Sequence, residues 1–144
     1  MELKGIIAIS GKPGLFKILS HTKSGVIVES IQDGKRTMAS LSSTMSSLDD
    51  ISMYTETEEL PLREIMRRIA EKEDNGAAPD AKASSDEALK AYFAEIVPDY
   101  DRERVYASHI RKLFHWYNIL QGAGLVSKEV HEEEGQEEDG NKSE

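Results

Sequence analysis

Imidazole is the most versatile catalytic and metal-binding group in this sequence, which has four histidines (His21, His109, His115 and His131) and no cysteine. A thiol nucleophile, a disulfide and a thiolate-ligated zinc site are therefore excluded. The histidines do not form a ligand pattern. His109 and His115 are six residues apart, about 120° out of register on a helix, and cannot share an ion as an i, i+4 pair could. Gly11-Lys12-Pro13-Gly14 has the glycines of a phosphate loop but not its closing Gly-Lys-Ser/Thr, and apolar residues suited to a strand follow it where a helix would be needed. It reads as a hairpin turn. The serines (Ser42-Ser43, Ser46-Ser47, Ser84-Ser85) lie in no Gly-x-Ser-x-Gly elbow. Adjacent carboxylates such as Asp49-Asp50 and Glu58-Glu59 point in different directions and read as solvated charge. The residues thus indicate no enzyme, no cofactor and no bound metal.

The segment 102–117, Arg-Glu-Arg-Val-Tyr-Ala-Ser-His-Ile-Arg-Lys-Leu-Phe-His-Trp-Tyr, gathers four Arg/Lys, two His and several aromatics. Two readings compete for it. In one, Tyr106, Phe114 and Tyr117 fill a core, Trp116 covers its rim and the cations are a solvated face. In the other, Tyr106, His109, Arg111, Lys112, His115 and Trp116 form a binding surface, with Arg111 and Lys112 on phosphates or carboxylates and aromatic edges free to stack. Residues 102–128 hold five Lys/Arg against one acid, a modest excess that favours the first reading. Contact with the chain's own acidic end ranks next, ahead of an external polyanion.

Those side chains must be positioned by elements, and the elements change character along the chain. Up to about residue 55, short β-branched runs (3–9, 15–19, 26–31, 35–41 and 51–54) alternate with turn signals, which predicts about five strands. Asp33-Gly34 suits a two-residue type I′ hairpin, and Lys23-Ser24-Gly25 offers another turn. Five strands in so short a span are expected to curl into a small SH3-like barrel, with 42–50 as a loop or 3₁₀ turn before the last strand. From Leu62 the apolar period becomes about 3.6: Leu62, Ile65, Met66, Ile69 and Ala70 share one face. Pro61 suits the first turn of that helix. Ser84 and Glu87 read as a capping box for a second helix, which Pro98 stops. Asp101 is the expected cap of a third, with core face Tyr106, Ile110, Leu113, Phe114, Tyr117 and Leu120. Gly122 and Gly124 end it, with Leu125-Val126 folding back.

The fold class is therefore α+β, divided into a barrel with a trailing helix (1–72), a linker (73–83), a helical module (84–128) and an acidic tail (129–144) expected to be disordered. The tail carries eight Asp/Glu against one Lys, so the other residues account for only −2 of the net −9. A charged segment with Val130 as its single apolar residue cannot offset its chain entropy by burial. No apolar stretch is long enough for a signal-peptide core or a membrane span. With no cysteine, a cytoplasmic location is the simplest expectation.

The run Met1 to Ile18, Met-Glu-Leu-Lys-Gly-Ile-Ile-Ala-Ile-Ser-Gly-Lys-Pro-Gly-Leu-Phe-Lys-Ile, with Gly25-Val26-Ile27-Val28-Glu29-Ser30 after it, resembles a Bacteroidetes family known as a domain of unknown function. Tyr92-Phe93, Pro98-Asp99-Tyr100-Asp101, Arg104-Val105-Tyr106, Ser108, Ile110, Lys112 and Trp116-Tyr117 resemble the helical domain that accompanies it. The resemblance covers about 1–72 and 84–120. It implies a two-part architecture and assigns no catalytic or binding residue. The functional expectation is a non-enzymatic adaptor or structural interaction protein of the bacterial cytosol, with an unidentified protein as partner. The alternative is a nucleic-acid-binding regulator using the third helix, whose end before Leu125-Val126 resembles the entry to a wing. Thin cores leave room for a homo-oligomer.

Overall fold

The computed structural model describes residues 3–12, 14–40, 42 and 44–127. The acidic tail and its expected disorder lie outside the described residues, as do Pro13 and Leu41. Strands β1 (Ile6–Ile9), β2 (Phe16–His21), β3 (Gly25–Ser30), β4 (Arg36–Ser40) and β5 (Met45–Ser47) form an antiparallel sheet in the order β4-β3-β2-β1-β5. A 3₁₀ turn, Leu48–Asp50, leads into β6 (Ser52–Tyr54), which pairs with β7 (Glu59–Pro61) as a separate ribbon. Helices α1 (Leu62–Lys72), α2 (Asp86–Ile96) and α3 (Ala107–Gly122) follow.

The expected barrel is not closed. Among the described strands β1 to β5 no ladder joins β4 to β5, so the sheet is open and antiparallel. It still curls. Ile7, Ile9, Phe16, Val26, Val28 and Ala39 form a buried cluster to which no helix contributes, so the strands must wrap over their own face to cover it. A register shift between Ile18 and Ser20 supplies a bend of the kind bulges produce. The fifth strand also differs from expectation. Met45–Ser47, read as loop, pairs with β1, whereas Ser52–Tyr54 pairs with Glu59–Pro61.

Turn chemistry holds in kind and shifts in detail. The β3–β4 connection is a hairpin, but a longer one than a two-residue type I′ turn. Ser30 N donates to Lys35 O at 2.8 Å and Gly34 N to Ser30 O at 2.8 Å. Type I′ needs positive φ at both central residues, and in this pair only Gly34 (φ 75°) has it; Asp33 Oδ1 instead accepts from Lys35 N at 3.0 Å. Gly25 is required for a different reason. A Cβ there would lie 2.0 Å from Ala39 O, because β3 and β4 meet with no room between them.

Helix α1 begins and ends where the sequence places it, with Pro61 at its N-cap and all five residues of the predicted stripe buried. Each fully buried aliphatic side chain contributes about 1.5–3 kcal/mol, enough to fix the helix against its neighbours. The cap of α2 is Ser85, one residue later than expected, and its side chain accepts from Ala88 N. Glu87 then falls one position short of a capping box. Asp101 does not cap α3. Its carboxylate accepts from Glu103 N at 2.9 Å and Arg104 N at 3.3 Å, closing a turn before the helix starts at Ala107. Tyr106 is consequently the N-cap, 58 % exposed, and leaves the core face to which it was assigned; Val105 is buried. The stop at Gly124 (φ 74°) has Leu125 N on Leu120 O at 2.9 Å and Gly124 N on Gln121 O at 3.0 Å, a Schellman arrangement.

The larger core draws on both sides of residue 72. Leu3, Ile6, Leu15 and Leu48 join the apolar faces of α1, α2 and α3 in one cluster. The segment 73–83, read as a linker, is tied to α3: Asn118 Oδ1 accepts from Ala78 N at 2.8 Å, and Tyr117 donates to Gly76 O at 2.7 Å. Asp74 and Asn75, at φ 54° and 66°, make the turn that allows this.

Candidate functional site

The six residues singled out on the third helix divide among three environments. Arg111 is structural. Its guanidinium donates to Ala81 O, to Ser84 O at 3.1 Å and to Asp86 Oδ1 at 2.6 Å, tying α3 to the segment that launches α2. It is therefore not a free cation for phosphate, and it sits five residues from Trp116, on a different flank of the helix. Tyr106 and His109 form a small exposed pair with ring centroids 5.1 Å apart. Tyr106 N donates to His109 Nδ1 at 3.2 Å. When neutral, that imidazole must carry its proton on Nε2, which leaves an N–H available as a donor.

His109, Lys112 and Trp116 fall at i, i+3 and i+7, which brings them onto one flank of α3. There they meet the N-terminal half of the chain. They line a cleft of about 290 Å³ whose opposite wall is Ser46, Met53 and Tyr54 and whose floor includes Leu62, Val105 and Leu113. Arg104 completes the rim, its guanidinium 4.8 Å from the Tyr54 ring centroid and 3.3 Å from Asp101 Oδ2. Tyr54 is held in place because the ribbon pairs across to the α2–α3 connection: Asp101 N donates to Tyr54 O at 3.0 Å, and Glu56 N to Asp99 O at 2.8 Å.

Beyond the Lys112–Trp116 ridge lies a second recess of about 480 Å³, lined by Lys12, Ser10, Thr44 and His115 together with Ser46, Lys112 and Trp116. The shared residues make the two recesses one groove. Lys112 Nζ stands 5.7 Å from the Trp116 ring, within cation–π range. None of the described residues lining either recess is acidic. In a chain of net charge −9, this is a local reversal of sign: Lys112 and Lys12 face one concavity with an apolar floor and an indole, and Arg104 stands at its rim paired with Asp101.

Sequence reasoning found the α3 side of this groove and missed its other wall. Lys12, Ser46, Met53 and Tyr54 lie far away in the chain, and only the Gly-Lys-Pro-Gly turn gave any local signal. Arg102, outside the six candidate residues, donates to Tyr100 O at 3.0 Å and stacks 4.3 Å from the Tyr100 ring centroid. Among the described residues no group of three or more His, Asp or Glu side chains lies together as a metal site would need. No helix among them is long and apolar enough to cross a membrane.

Fold and site together define an α+β protein in which a curled antiparallel sheet and three helices frame a cationic, tryptophan-ridged groove. Two family models match the sequence, each described as a domain of unknown function: DUF5606 over residues 3–48 and DUF6852 over 51–120. The two meet between β5 and β6, so α1 falls within the second. A solution NMR structure of a protein from Bacteroides vulgatus, from a structural-genomics consortium, is similar at 44 % identity and a TM-score of 0.75, covering 88 % of this chain and 90 % of that one. No curated protein matches the sequence. The chain belongs to this Bacteroidetes family of unknown function.

Proposed function

We propose that the protein is a non-enzymatic interaction module of the cytosol whose groove between α3 and the β5–β6 connection receives an acidic peptide segment of a protein partner. The observation that carries this reading is the groove lining: Lys12 and Lys112, two imidazoles and Trp116 with no carboxylate among them, and Arg104 at the rim paired with Asp101. Cationic clefts with low-dielectric walls focus field and draw anionic segments. An apolar floor adds side-chain specificity, and an amphipathic Trp is a recurrent anchor. Nucleic acid is the weaker candidate. Two of the four Arg/Lys in 102–117 are committed to backbone carbonyls, which leaves few cations to follow a regularly spaced phosphate backbone. A curled sheet of five antiparallel strands is consistent with an SH3-like module in such a role.

Trp116 is the only tryptophan in the sequence, so its emission reports on the groove directly. Titration with a deca-glutamate peptide at about 50 mM salt, where ionic contacts are strong, is expected to shift that emission. Lys112→Ala should weaken the response by about 5- to 10-fold, the loss of one charge-assisted contact. No response to millimolar peptide would refute the reading. A response only to single-stranded RNA or DNA, with the steep salt dependence of counterion release, would transfer the groove to the nucleic-acid alternative.

A further inference from the structure

Resting on this reading of the groove, we infer that its resident occupant is the chain's own acidic segment, residues 129–144, and that an external partner binds by displacing it. Charge and reach argue for this. The segment carries eight Asp/Glu against one Lys, while the remainder of the chain is close to neutral. A concave patch of opposite sign, with Lys12 and Lys112 in it and the Asp101-paired Arg104 at its rim, is the groove. The last described residue is Ser127, just past the stop of α3. Lys112 lies ten residues back along the helix from Gly122, about 15 Å at 1.5 Å per residue. Sixteen residues reach about 50 Å when extended, so the segment spans the whole groove without strain. A segment tethered this closely is presented at an effective concentration on the order of millimolar. Even an intrinsic affinity of about 0.1 mM would then keep the groove occupied and weaken an external acidic ligand about tenfold.

The same geometry supplies a specific control. Residues 129–144 are joined to the helix that forms one wall of the groove, so masking in this form is intramolecular and independent of protein concentration. A partner would need either more acidic residues or a side chain for the apolar floor to compete. The groove would then be selective because weakly acidic peptides cannot displace the built-in competitor.

The test compares the native full chain with a full chain carrying Glu129→Gln, Glu132→Gln, Glu133→Gln, Glu134→Gln, Glu137→Gln, Glu138→Gln, Asp139→Asn and Glu144→Gln, each checked for native circular dichroism. Without any ligand, the Trp116 emission of the two proteins should differ at low salt and converge as salt screens the contact. The neutralised chain should bind a fluorescein-labelled deca-glutamate probe about tenfold more tightly. A synthetic peptide of residues 128–144 added to that chain should compete with the probe and restore the native emission. Identical Trp116 spectra and equal probe affinities would overturn the inference while leaving the groove reading standing. If neither chain binds the probe, the groove reading fails and this inference fails with it. A difference between the chains that grows with protein concentration would make a second copy the occupant and overturn the intramolecular form.

Discussion

Arg111 separates a structural basic helix from a binding one, and Arg111→Met is the perturbation that decides between them. The substitution keeps the length and the apolar stem of the side chain and removes its donors. Ala81 O, Ser84 O and the Asp86 carboxylate would each lose a partner. Hydrogen bonds from a charged donor contribute about 1.5–3 kcal/mol when buried. Here the Arg111 side chain is 34 % exposed and Asp86 58 % exposed, so the ion pair itself adds no more than about 0.5–1 kcal/mol. Water can reach one carbonyl more easily than both, so the two carbonyls together account for about 2 kcal/mol. The expected loss is about 2–3 kcal/mol, measured as a lower urea midpoint at unchanged m-value by circular dichroism. For a chain of this size that is a fall in Tm on the order of 10 °C. Affinity for the deca-glutamate probe should stay within twofold of native. The result that refutes this reasoning is the reverse pattern: stability changed by less than about 0.5 kcal/mol with probe affinity reduced severalfold, which would show that Arg111 faces the ligand.

Gly25→Ala should cost about 1–3 kcal/mol through overpacking, because its Cβ would press on the Ala39 carbonyl, and amide exchange in β3 and β4 should accelerate before that in α3. Burial pushes the Tyr117 phenol up to about 12, with the Glu73 carboxylate adding to the effect. Its folded value lies above its unfolded one, so the associated stability is complete below about pH 10 and disappears as pH rises through about 12. Tyr117→Phe should remove that part of the alkaline limb in a pH series of thermal melts. Glu64 is shifted the other way, mainly by the Arg67 guanidinium, whose Nη2 is 2.9 Å from Oε2 and Nε 3.0 Å from Oε1. Its stability is therefore present above the ordinary carboxylate range and lost as pH falls through its lowered folded value. Glu64→Gln should flatten the acid limb of the same series while leaving the alkaline limb unchanged.

Sequence alone determined the local features of this protein. Alternation up to about residue 55 and 3.6-residue spacing after Leu62 describe contacts within one element, where geometry depends on nearest neighbours. The sheet-then-helix order, the stripe Leu62, Ile65, Met66, Ile69 and Ala70 and the glycine stop of α3 were therefore legible. One-residue shifts such as Ser84 for Ser85 reflect two equivalent caps in succession, between which spacing cannot choose. Tertiary structure decided whatever rests on partners distant in the chain. One local choice also escaped periodicity: Tyr106 is as apolar as Tyr117, yet only Tyr117 faces a core, because a turn closed by Asp101 on the residues just after it delays the helix until Ala107. Arg111 and Lys112 are adjacent cations, and only the docking of residues 81–86 at one and of β5 and β6 at the other makes the first a strut and the second a groove residue. Pairing of β1 with Met45–Ser47 rather than with 51–54 likewise depends on what the ribbon gains from the α2–α3 connection. The choices at Arg111, Lys112 and β1 are made by interactions between residues from 25 to 66 positions apart, and neither composition nor periodicity encodes which of several equally apolar or equally charged candidates will meet.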